Sequence, residues 1–526
     1  MDTQNPSKQP PLYYQPMLKE SINRFLTDYR NGATNFTDFT SIFSRAIHTT
    51  SDPPIPLLWF YSALEFHTNR LREASRTSLV AVKGLFQLLV SCCDGCVAMK
   101  RIGVLAPLVF EIYRSMGCGE EVKSEIEGLV EGVVSYCSIY CMKSEVEVNG
   151  GDARVGVLEE GFVDLIPVWM VDCDGGGESG VGGDCLKGFF PFVSDGVRKG
   201  IEMGCEVGYL AGVVMFEALL LKMCLIFEAG IARGEKEKKL HAAAVQVMTG
   251  FRNFYFLDTL LRMMLEPALP VISLLGSDNE VLLKEALYYS VMMMDYSFIN
   301  CQAGVSLYAD NLKDFAINWL FVAESAIQSA REKGDHGKAT SYVNSFCRSC
   351  IPIQLINWVT SQSGIDRKIG RPSVSTPIDL IKWLLAAEEH GLAIFGCGTA
   401  KHRAKAFVFT SRTVSMLPVV KHPFLSSIHG GFAGTVPMLP VVEHPFLTSI
   451  HGGFVADRVR ASDVEMHDTV DAISLSGDDR INTFTTDGTR KRKEGIEDGT
   501  KVQLKYMRCQ LHENAVRENS CTFKQQ

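Results

Sequence analysis

Val207-Gly-Tyr-Leu-Ala-Gly-Val-Val-Met-Phe-Glu-Ala-Leu-Leu-Leu-Lys-Met-Cys-Leu-Ile-Phe227 is the most apolar stretch of the chain. At about 20 residues a helix can span a bilayer, so this run poses the first choice between a membrane segment and a buried helix. Glu217 and Lys222 fall near its middle. A charge at the bilayer centre costs roughly 2.5 kcal/mol or more, and two of them favour a helix buried in protein. A helix apolar on all sides needs other helices around it, and the flanking sequence supplies them.

Outward from this stretch the apolar residues recur at helical spacing. Upstream, helices are expected over Pro16 to Tyr29, from about Asn35, from Asp52 or Pro56 and over Ser78 to Val90. Val104 to Tyr113, Val122 to Tyr140 and Phe162 to Trp169 continue the pattern. Downstream the spacing predicts helices over Leu240 to Leu265, Val271 to Leu275, Val281 to Met294, Leu312 to Ala330, Ser345 to Thr360 and Ile378 to His390. No segment alternates with a period of two, so the expected class is all-α. Over 300 residues of helix exceed one bundle core, and helix pairs stacked in a row are the natural arrangement. Gly- and acid-rich stretches near 142–157 and 172–184 read as surface loops.

Composition narrows the function. Of 526 residues 46% are apolar and 21% charged, which is the balance of a globular chain. The formal net charge of −8 disfavours binding nucleic acid through bulk positive charge. The 16 cysteines are scattered and often sit in apolar runs, as reduced core thiols do. The polar start, with Pro6, Pro10 and Pro11, lacks the apolar run of a secretory signal.

Pro267-Ala-Leu-Pro-Val-Ile-Ser-Leu-Leu-Gly-Ser-Asp-Asn-Glu-Val-Leu-Leu-Lys-Glu-Ala-Leu287 resembles the core of an armadillo repeat. A small-residue and proline entry precedes a helix, a Ser-Asp turn follows, and a second helix begins with an acidic and Val step. Gly103 to Val109 and Phe162 to Pro167 look like further entries. Pro107 and Pro270 suit the first turn of a helix, and Ser277-Asp278 suit a cap. The similarity is to the armadillo/HEAT superfamily, over about 60–330, without a regular period. It implies an irregular armadillo-like helical solenoid, expected here over 12–395. Residues 1–11 are expected to be disordered, 396–454 irregular, and 455–526 a disordered, polar tail.

Gly177-Glu-Ser-Gly-Val-Gly-Gly-Asp184 imitates the end of a phosphate loop, but Gly183 and Asp184 replace its Lys and Ser/Thr. No cation remains for the phosphates, so no nucleotide is expected. Cys93-Asp-Gly-Cys96 and Cys347-Arg-Ser-Cys350 have zinc-ribbon spacing, yet a solenoid would hold them apart. Thr413 to Phe432 recurs as Thr435 to Phe454 with 17 of 20 positions identical, and brings His422, His429, His444 and His451 with it. The copies share no Cys or acidic partner, so no metal is expected. Trp59, Phe60, Tyr61 and Phe66 read as core. No catalytic motif was found, and neither enzyme activity nor a cofactor is expected.

Arg490-Lys-Arg-Lys493 is the densest basic cluster. In an extended tail such a cluster suits the grooves of a nuclear import receptor. The expected function is therefore a non-enzymatic protein-interaction scaffold, in the nucleus and cytoplasm. A peptide or helix in the solenoid groove would be its partner, with no nucleic acid and no membrane. An enzyme of unrecognised class, or a membrane-associated protein using 207–227, is the alternative.

Overall fold

The computed structural model describes residues 14–72, 78–116, 120–148, 162–172, 183–297, 309–361, 370, 372 and 375–416. The chain divides into two units, 1–422 and 423–526, and every described residue lies in the first. The described residues form helices and no strand. The segments expected to be disordered, 1–11 and 455–526, lie outside them.

The chain opens with α1 (Tyr14–Arg30), α2 (Thr37–Thr49), α3 (Ile55–Arg72) and α4 (Ser78–Cys92). Next come α5 (Ala98–Gly103), α6 (Ala106–Ser115) and the long α7 (Glu120–Val148). A 3-10 turn at Val163–Leu165 leads to three short helices, α8 (Ile166–Trp169), α9 (Gly183–Phe189) and α10 (Asp195–Glu202). The central group is α11 (Val207–Glu228), α12 (Arg233–Gly250) and α13 (Phe254–Met264). It is followed by α14 (Ile272–Leu275), α15 (Ser277–Met293), α16 (Ala309–Glu332) and α17 (His336–Arg348). The last are α18 (Cys350–Ser361), α19 (Pro377–Glu389) and α20 (Gly398–Met416).

The apolar stretch is α11. By length and hydropathy it could cross a membrane, yet 89% of its most apolar window is buried inside the protein. Helices α5, α6, α7, α12 and α13 surround it. The two ionisable side chains near its middle are both engaged. Glu217 accepts a hydrogen bond from Phe192 N–H at 3.1 Å, and the Lys222 ammonium meets Glu131 of α7 at 2.8 Å. Close approach depends on glycine. A Cβ at Gly212 would stand 2.5 Å from the Tyr255 carbonyl oxygen on α13, and one at Gly208 would enter the Tyr255 ring.

Packing advances along the sequence from one group to the next. Helix α3 packs on α2 and α4, and α4 on α6 and α7. Helices α5 to α7 then pack on α11, and α7 also on α12. The chain continues with α12 on α15, α13 on α16, and α16 on α17, α18 and α19. Longer returns exist as well: α1 and α3 meet α8 at the front, and Arg403 of α20 reaches back to the Leu265 carbonyl after α13.

Four expectations need correction. The helix expected over Leu240 to Leu265 is two helices, because Asn253 breaks it: its side chain accepts from Tyr255 N–H and caps α13. The helix expected over Ser345 to Thr360 is also two, parted where Ser349 takes an extended conformation. Met142 begins no loop, since α7 runs on to Val148 through residues with no helix breaker, and the first glycine is Gly150. Nor is all of 396–454 irregular: α20 is helical to Met416, anchored by Phe407 stacked 5.7 Å from Phe321 and by Arg403 donating to the Leu265 carbonyl. Of the armadillo-like entries, Pro107 does sit in the first turn of α6. Gly276, at φ 74°, rather than Ser277, is the residue before α15.

Candidate functional site

A cleft lies where α12, α15, α16 and α17 converge. It encloses about 250 Å³. Helix α12 supplies Glu237, α15 Glu285 and Tyr288, and α16 the small residues Ala326, Ser329 and Ala330. Lys333 and Asp335 come from the α16–α17 turn, and Lys338 and Tyr342 from α17. The turn is fixed by Gly334 at φ 74° and by Asp335, whose Oδ1 accepts the Lys338 backbone N–H at 2.9 Å. Glu285 is shared between two cations: Lys333 contacts its Oε1, and Lys338 Nζ lies 3.8 Å from its Oε2. Burial, then Lys338 and Arg233, hold the Lys333 ammonium below its ordinary pKa despite Glu237.

One buried polar atom of the cleft lining, and one more on α12, lack partners. Tyr342 is 1% exposed, and its hydroxyl makes no hydrogen bond. His241 stands one turn beyond Glu237 on α12, its ring 5.1 Å from that of Tyr289, and its buried Nε2 has no partner either. Burial, with Lys338 nearby, keeps His241 below its usual pKa and therefore neutral at pH 7. A buried polar atom left without a partner costs about 1–3 kcal/mol, so such atoms mark places where a ligand or water is held.

A second polar constellation ties the front of the molecule together. Tyr29 of α1 donates to Asp172 Oδ1 at 2.5 Å, and Arg70 of α3 meets Asp172 Oδ2 at 2.6 Å. His67, wholly buried, donates from Nε2 to the Val168 carbonyl at 2.9 Å. Its Nδ1 is 3.9 Å from Asp172, too long for a hydrogen bond. Burial pushes His67 down to about 4, against the pull of Asp172. On α6, burial raises Glu111 to about 7 although Arg114 pairs with it at 3.1 Å. Each of these groups is engaged with its neighbours in holding α1, α3, α6 and the α8 turn together.

The residues singled out by sequence fall as follows. Arg490, Lys491, Arg492 and Lys493 lie outside the described residues, as do His422, His429, His444 and His451. Of the Gly-rich run only Gly183 and Asp184 are described, and they open α9. Cys93 and Cys96 are buried at the end of α4, and the hydrogen bond between them, together with burial, raises the Cys93 thiol well above its ordinary pKa. Cys347 and Cys350 lie at the α17–α18 junction, and among the described residues no three His, Cys, Asp or Glu side chains gather as metal ligands do. Trp59, Phe60 and Phe66 are core residues, and Trp59 donates to the Val104 carbonyl at 3.1 Å. The cleft itself was missed. Its signal in the sequence is the charged Lys333-Gly-Asp-His-Gly-Lys338 turn between two helices. No family model, no curated protein and no solved structure matches this chain.

Proposed function

We propose that the chain is a non-enzymatic interaction scaffold built as an irregular armadillo-like solenoid. The observation that carries this reading is the order of packing, in which most helix groups rest on groups that follow them in sequence, with returns at α8 and α20. Stacking of that kind extends a surface instead of closing a single core, and extended surfaces suit peptides or partner helices. Large apolar side chains stand exposed on its later helices, among them Leu274, Val281, Met293 and Ile353. The test is native purification of the full chain beside a variant with these four residues changed to Glu. A stoichiometric protein partner bound to the first and lost from the second supports the scaffold. Elution of the native protein alone, at the size of its 58.1 kDa chain, overturns it.

The same proposal places the protein in the nucleus and cytoplasm, through an import receptor that binds Arg490 to Lys493. Four adjacent cations in a polar tail support this. In a fluorescent fusion, replacement of all four by Ala is expected to abolish nuclear accumulation. Equal nuclear signal in the variant would show that another feature directs import.

A further inference from the structure

We propose that the cleft between α12, α15, α16 and α17 binds a free α-amino acid, its carboxylate toward Lys333, Lys338 and Tyr342 and its ammonium toward Glu237. The inference is independent of the scaffold reading and rests on the cleft's size, its two signs of charge and its unmet hydrogen bonds.

Size comes first. Drug-sized ligands occupy pockets of about 300–1,000 Å³, and this one encloses about 250 Å³. A compact molecule fits where a folded domain or an extended chain does not. Charge comes second. Lys333 and Lys338 share the single carboxylate of Glu285, while the Asp335 side chain accepts the Lys338 backbone N–H. The lining thus carries two ammonium groups and three carboxylates, Glu237, Glu285 and Asp335, so both signs of charge face the space. Glu237, on α12, faces the same space and favours a cation. A simple anion would meet the carboxylates, and a simple cation would meet the lysines. A zwitterion complements both.

The unpartnered atoms point the same way. The Tyr342 hydroxyl is buried without an acceptor, and a carboxylate oxygen would supply one. His241, whose Nε2 is also unpartnered, stands one turn along α12 from Glu237 and outside the lining itself. The small residues Ala326, Ser329 and Ala330 on α16 leave room for a modest side chain.

The test measures the melting midpoint of the full chain at pH 7 with glycine, leucine, glutamate, lysine and arginine, and separately with acetate and ethylammonium. A ligand at about tenfold its Kd raises the midpoint of a domain this large by about 2 °C. At least one amino acid is expected to do so while acetate and ethylammonium do not. Tyr342→Phe and Lys338→Gln are expected to weaken that amino acid's binding by about tenfold in calorimetry. Without ligand, Tyr342→Phe is expected to raise the midpoint, because it removes a buried hydroxyl that has no partner. No shift with any amino acid, or an equal shift with acetate, overturns the proposal. So does binding that both variants leave unchanged, since the ligand would then sit elsewhere.

Discussion

Glu217 is held in a wholly buried place by one backbone N–H, and burial raises its pKa to about 8. Folded, it carries a proton that the unfolded chain releases near 4.5. The folded form therefore binds more protons between those values, and stability falls as pH rises from 4.5 through 8. Glu111, raised to about 7, acts in the same direction over a shorter window. His67 acts oppositely: its folded pKa of about 4 lies below the ordinary 6.5, so its contribution is present above 6.5 and lost as pH falls toward 4. Glu217→Gln preserves an oxygen for Phe192 N–H but cannot ionise. Its stability at pH 9, measured by urea unfolding, is expected to exceed that of the native chain by a few kcal/mol, at about 1.4 kcal/mol per unit of pKa shift. The two are expected to be close at pH 5. A gap that stays constant across pH would show that Glu217 does not titrate in the fold.

At the scale of elements, glycines separate close packing from helix propensity. Gly212 of α11 abuts the Tyr255 carbonyl, so Gly212→Ala forces α11 and α13 apart and is expected to cost about 1–3 kcal/mol. Gly84 of α4 and Gly128 of α7 have open space where a Cβ would go. There the same substitution is expected to stabilise by about 0.5–1 kcal/mol, since Ala favours helix over Gly. Thermal unfolding of the three variants checks both signs. The helices themselves were largely legible, because burial on one face writes a period of 3.6 into the sequence. Their ends were less so. Asn253 lies in an otherwise helical run, and only its bond to Tyr255 N–H makes it a cap. The start of α12, Arg233 to Lys239, is charged and carries almost no periodic signal. The cleft was illegible for a related reason: it is assembled from four helices spread over about a hundred residues, and each lining residue alone reads as an ordinary helix surface.

For the whole molecule, the first unit ends at 422 and the second copy of the duplication lies beyond it. Deletion of Thr435 to Phe454 is expected to leave the melting midpoint of the helical unit unchanged within about 1 °C. A larger fall would mean that the copy packs on the helices. Helix α11 also bears on how this molecule is made. Its side chains touch α5 to α7, which leave the ribosome before it, and α12 and α13, which leave after it. From Glu228 to Met264 is 36 residues, which at about 5–20 residues per second takes roughly 2–7 s. For that interval a nascent segment with the hydropathy of a membrane anchor is only half covered. Synthesis thus opens a brief window in which the side of α11 that faces α12 and α13 has no cover, and emergence of those two helices closes it.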